Sequence, residues 1–373
     1  MEVEELQSRT IDFLRFPMAV GVILAHCFFP PYDITKLDYS CFTQVDFWGI
    51  MRLVLSFTIP CLTAPVFFMI SGFLFFKNVD NWNKQVYSQK LQSRFKTLFI
   101  PYFFWNILAL IFMHGGMWIY LIRGIEDDSW IHSYNNWRWL KSLWCDFSPM
   151  MPHAISGAFP LYRPINAPLW FIRDLIVMAI CSPLIYFLVK KLKIYFLILL
   201  FIAFYTNIWI YTPGFNVLAF LFFSTGAYFS INKLNIVEEC RKVQKITYPL
   251  FVVLLTLTTL LFGTPTNDFI IPFYALVGVV VFFNLSAYYI EKRNVKANPF
   301  IVKSAFFVFV FHWMIIHSIV NLCKDIFHPV LQWEFMICYF ASPTLILGCC
   351  LLIYYLLRRY VSGFCKFALG SRY

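Results

Sequence analysis

The chain has 373 residues, 60% of them hydrophobic and only 13% charged, against roughly 25% charged in soluble globular domains. That balance excludes a water-soluble fold, and aromatic residues at 21%, including 45 Phe, exclude a disordered chain, which lacks the apolar surface to collapse or enter lipid. Lys and Arg outnumber Asp and Glu by 30 to 19, an excess whose meaning depends on where the cations fall.

A hydrocarbon core about 30 Å thick needs about 20 mostly apolar helical residues per crossing. In chain order, ten runs approach that length: 11–29, 47–76, 97–113, 168–189, 194–211, 214–231, 246–263, 268–290, 303–322 and 335–357. They are too long and too little alternating for barrel strands. The reading is an all-α polytopic membrane bundle of about ten transmembrane helices. Pro60 and Pro65 are expected to kink the second run, because each removes a helical hydrogen bond. Residues 9–360 read as one integral-membrane domain, with an outer loop at 114–167 inside it and a cytoplasmic tail at 361–373.

Of the 30 cations, 22 fall on alternate inter-helix segments, in clusters such as Lys77 to Lys96, Lys190 to Lys193 and Lys233 to Lys245, while six, including Arg123, Arg163 and Lys324, fall on the others. The positive-inside rule then predicts both termini in the cytoplasm. This placement explains the basic balance without nucleic acid and leaves an inner surface that attracts anionic lipids or an anionic cytosolic cosubstrate. The acidic start, Met1 to Glu5, lacks the basic region of a signal peptide, so the first helix is expected to stay in the mature protein. Eleven cysteines are scattered without a CxxC pair. They read as small apolar fillers, with no zinc site or disulfide framework indicated.

Ionisable side chains inside a span cost several kcal/mol unless paired or wet, which makes each a candidate for function. In the first helix Arg9, Asp12 and Arg15 open the span and His26 follows Arg15 by eleven residues. That is about 16 Å along the axis and close to three turns, so the two side chains point in similar directions. They are expected to face one shared cavity. Taken alone, Arg15 reads as a snorkelling anchor and His26 as an interfacial histidine bonded to a carbonyl; their joint spacing is what favours the shared cavity.

The stretch from Arg15 to His26, preceded by Asp12-Phe-Leu-Arg15, resembles the Arg/Lys-x10-His motif of the integral-membrane acyltransferase 3 family. Pro65-Val-Phe-Phe-Met-Ile-Ser71-Gly72-Phe-Leu is similar to that family's Phe-Phe-x-Ile-Ser-Gly segment, Pro168-Leu-Trp170-Phe-Ile-Arg173 to its Leu-Trp-Phe-Leu segment, and Ser304 through His312 to its late aromatic helix ending in His. The matches fall in order along the chain. Thr58-Ile-Pro60-Cys-Leu-Thr-Ala-Pro65 replaces the family's usual Gly-x-x-Gly-Val-Asp, marking a divergent branch.

The resemblance implies transfer of an acetyl or related acyl group from cytosolic acyl-coenzyme A, acetyl-CoA foremost, to a hydroxyl of a carbohydrate or lipid-linked saccharide in a bacterial inner membrane, with no bound cofactor. A hydroxyl needs a positioned base, and His26 is the candidate catalytic residue. Arg15, at the inner mouth, is the candidate for the donor phosphates, which a guanidinium binds bidentately. Ser71 and Gly72 permit close approach of a pantetheine arm or, equally, of a neighbouring helix. Trp170 is expected to line the pocket, and Arg173 either to hold the acceptor or an oxyanion or to pair locally with Asp174. His312 is a second polar wall or a packing residue. His317 follows it by five residues rather than four, so no metal is proposed. In the outer loop Trp130, Tyr134, Trp137, Trp139, Trp144 and Tyr162, near Glu126, Asp127 and Asp128, suit a carbohydrate or an aromatic belt. An exporter of a polysaccharide or lipid intermediate is the competing class. Its usual repeated halves are not visible in this sequence.

Overall fold

A computed structural model describes residues 2–27, 47–122, 138–145, 163–210 and 212–370. Among them every regular element is helical, as the apolar runs require. In chain order the helices are α1 (Val3–His26), α2 (Phe47–Phe76), α3 (Lys84–Phe112, continuing to Ile122), α4 (Arg138–Ser142), α5 (Ala167–Leu192), α6 (Ile194–Thr206) and α7 (Val217–Ile231). There follow α8 (Ile236–Lys242), α9 (Gln244–Leu260), α10 (Pro265–Arg293), α11 (Pro299–Phe327), α12 (Gln332–Tyr360) and α13 (Ser362–Leu369).

Each of the ten apolar runs carries a helix. Six helices, α2, α3, α5, α10, α11 and α12, are long and apolar enough to cross a membrane, and α7 with α8 makes a seventh if that pair, bent by 105°, counts as one span. The other three runs fall short for physical reasons. α1 carries Arg9, Asp12 and Arg15, while α6 has only 13 residues and α9 only 17. The outer faces are apolar: Leu199 and Ile202 on α6, Val252 and Leu260 on α9 and Leu352 on α12 are all exposed, as lipid contact demands. The protein is a multi-pass membrane protein.

Two breaks in regular geometry shape the bundle. In α2 a π turn at Val54–Thr58 and a 3₁₀ turn at Pro60–Leu62 absorb the missing N–H and the ring clash of Pro60, the kink that proline predicts. Side chains reclaim carbonyls at this break: Thr63 Oγ1 donates to Pro60 O at 2.7 Å and Tyr274 Oη to Thr58 O at 3.1 Å. A second π turn, Phe95–Phe99, precedes Pro101 in α3.

The closest backbone approach lies between α2 and α7. A Cβ on Gly72 would collide with the Phe223 carbonyl, and one on Gly226 with the Met69 carbonyl. Around this crossing one large apolar core unites α2, α5, α7 and α10, and a second joins α1, α11 and α12 through Ala19, Ile23, Val308 and Tyr339.

The segment read from sequence as a cytoplasmic tail carries a helix docked on the bundle. In α13, Cys365, Ala368 and Leu369 are buried, and Trp105 Nε1 of α3 donates to Ala368 O at 2.8 Å. Its apolar face seeks cover, and the aromatic edge of α3 supplies it through Phe104 against Phe364 and Phe367.

Candidate functional site

A cavity opens where the end of α1 meets the first halves of α2, α5 and α7. Its polar wall comprises His26, Ser56, Thr63, Arg163 and Asn216, and its apolar wall is formed by Phe57, Phe67, Trp170, Phe171 and Phe309. The broken stretch of α2 builds one side, because the irregular turns around Pro60 bring Ser56, Cys61 and Thr63 into the wall. The gathering of a late α1 residue with early residues of α2, α5 and α7 is what alternating chain direction produces.

His26 is partly exposed to this cavity. Its ring is stacked on His312, with centroids 5.6 Å apart, and lies edge-on to Trp313 at 5.1 Å. Neither ring nitrogen of His26 bonds to a described residue, so packing rather than a hydrogen bond sets its plane. His312 is fully buried. Its Nδ1 lies 3.0 Å from Val308 O, and because a carbonyl can only accept, Nδ1 carries the proton in the neutral ring and Nε2 keeps its lone pair. That Nε2 is buried without a partner.

Of the residues expected from sequence, the structure places His26 and Trp170 in this wall and stacks His312 on His26 from outside it. It does not bring the others there. Arg15 is about one-third exposed and pairs with Asp12, Nη1 to Oδ1 3.1 Å; it lies three turns below His26 on α1 and outside the cavity wall. The shared cavity expected for Arg15 and His26 is thus not formed by the described wall residues. Gly72 sits at the α2–α7 crossing, one turn beyond Phe67 of the wall, with Ser71 half-buried beside it.

Arg173 is 2% exposed and is not part of the cavity wall. Its Nε and Nη2 donate to Asp174 Oδ1 at 3.0 and 2.9 Å, and its Nη1 to Trp144 O at 3.1 Å. This is the local ion-pair arrangement, and it staples the end of the outer loop to α5. Tyr102 Oη adds a second staple to Leu143 O at 2.6 Å. Trp144 is the one loop aromatic of the carbohydrate platform expected from sequence with a described side chain; Trp130, Tyr134, Trp137 and Tyr162 lie outside the described residues.

Sequence reasoning assigned no site role to Arg163, counted only as an outer cation. It stands in the wall with His26, and its Nε is buried without a partner. Linear sequence gives no signal for this, since the residue comes from a loop and its neighbours from five helices.

The motif resemblance is now decided at the level of the whole chain: the family model of an acyltransferase domain, that of the acyltransferase 3 group, matches residues 9–357. The chain belongs to the acyltransferase 3 family. It is an acyltransferase, acting on acceptors other than amino-acyl ones. No curated protein and no solved structure matches the chain.

Proposed function

We propose that this acyltransferase moves an acetyl or closely related group from cytosolic acyl-coenzyme A to a hydroxyl of an envelope glycan or lipid-linked sugar. The observation that carries the reading is His26 in a largely apolar cavity, stacked on His312 and edge-on to Trp313. His26 takes the proton of the acceptor hydroxyl as its oxygen attacks the thioester carbonyl. Collapse of the tetrahedral species breaks the C–S bond, and the imidazolium returns its proton to the departing thiolate. The products are an ester and coenzyme A. Such base catalysis contributes about 10²- to 10⁴-fold.

In the same reading ten helices cross a bacterial inner membrane with both termini inside, His26 lies toward the outer face, and the acceptor enters from that side. Arg15 sits about 16 Å deeper, where it would meet the anionic end of the donor, while Ser71 and Gly72 border the path between. Trp170 lines the acceptor pocket. An exporter needs no base beside a closed apolar chamber, and family membership favours transfer.

The test uses membranes from cells with and without the protein, supplied with acetyl-CoA labelled on the acetyl group. Label should pass to glycan as an alkali-labile ester only when the protein is present. Translocation of a saccharide without thioester consumption would overturn the reading.

A further inference from the structure

Among the described residues, the cavity wall holds two basic side chains, His26 and Arg163, and no acidic one. Its other polar groups have oxygens already engaged: Ser56 Oγ with Tyr339 Oη at 2.6 Å, Thr63 Oγ1 with Pro60 O, and Asn216 Oδ1 with the Leu218 N–H at 2.9 Å. Arg163 forms no ion pair with any described carboxylate. Arg173, the nearby guanidinium suggested by sequence, is already neutralised by Asp174. A guanidinium set into an apolar wall without a counter-charge costs several kcal/mol that an arriving negative charge would recover.

Arg163 is also rigidly delivered. Pro164 restricts its backbone to extended conformations. The two residues that follow are fastened on three sides: Ile165 N donates to Ser142 O at 2.8 Å, Asn166 N to Asn106 Oδ1 at 3.1 Å, and Asn166 Nδ2 to Val310 O at 3.1 Å. The last bond ties the loop to α11 between Val308 and His312, the stretch that also sets the His312 ring. Base and cation are thus held by one connected frame. Electrostatic stabilisation of a developing charge requires such fixed donors, because nothing then reorganises during reaction.

We infer that Arg163 is a catalytic residue, donating to the oxyanion that forms on the thioester carbonyl as the acceptor oxygen adds beside His26. The inference rests on the transfer reading above. When the C–O bond forms, the carbonyl π electrons move onto oxygen, and Arg163 faces that negative charge; when the C–S bond breaks, the carbonyl is restored and the guanidinium is left unchanged. Arg163 never transfers its proton.

The experiment compares wild type, Arg163→Gln and Arg163→Lys in cell membranes, with labelled acetyl-CoA as donor and the native glycans as acceptor. Arg163→Gln should lower the donor-saturated rate about 10²- to 10³-fold, with half-saturation by acetyl-CoA within about threefold of wild type and unchanged thermal stability in detergent. Arg163→Lys keeps the charge without the fork and should fall between the two. If Arg163→Gln fails to accumulate, the lysine variant decides: a reduced saturated rate supports the role, and a wild-type rate refutes it. A folded glutamine variant with a wild-type rate, or a loss confined to half-saturation, also refutes it. An inactive wild type would instead refute the transfer reading itself, so the two failures are distinguishable.

Discussion

At the scale of single residues, the pair His26 and His312 shows how position separates similar side chains. His26 lines the cavity, whereas His312 is sealed and has Nδ1 committed to Val308 O. In the proposed reaction His312 positions the imidazole of His26 by stacking. A His312→Phe variant retains a ring at that place and should keep the saturated transfer rate within about tenfold, far less than loss of a base costs; a loss as deep as that of a His26 variant in the same labelled-donor assay would assign His312 a direct proton role. Outside the bundle, Asp80 and Lys233 form an exposed pair at 2.9 Å. The lysine lowers the Asp80 pKa, and the aspartate raises that of Lys233. Asp80 thus contributes stability above its unfolded value of about 3.9 and loses it as pH falls through its lower folded value; Lys233 contributes below about 10.4 and loses it as pH rises through its higher folded value. Since exposed pairs are weak, the melting curves of Asp80→Asn and wild type should differ by a small, constant amount between about pH 5 and pH 9 and converge under more acidic conditions. A difference that grows on acidification would contradict the pairing.

At the scale of elements, helix position was legible in the sequence and its consequences only partly so. Apolar run length located the helices because hydrocarbon demands internal backbone pairing, and Pro60 foretold the break in α2. What the runs did not disclose was that the break forms one wall of the cavity, or that α13 folds back on α3, since both depend on surfaces meeting across the bundle. The Ser71-Gly72 segment illustrates the same limit: as sequence it suits either a substrate arm or a helix crossing, and the backbone contact with Phe223 gives Gly72 a packing role. Gly72→Ala should force α2 and α7 apart and cost about 1–3 kcal/mol of stability, read as a lower melting temperature in detergent. Unchanged melting would show that the crossing relaxes without cost.

At the scale of the whole molecule, the functional centre arises from convergence. α1 delivers His26 at its end, α5 delivers Trp170 at its start, α11 supplies the stacking partner, and the fastened loop before α5 brings Arg163. Sequence reasoning singled out His26 and His312 because an ionisable side chain at their depth is costly in lipid. It passed over Arg163, an ordinary cation until the fold closes around it. The most direct measurement is the donor-saturated rate of acyl transfer from acetyl-CoA to membrane glycan by His26→Ala, at matched protein level and matched melting temperature. The account predicts a loss of about 10²- to 10⁴-fold; full turnover by the folded variant would contradict it.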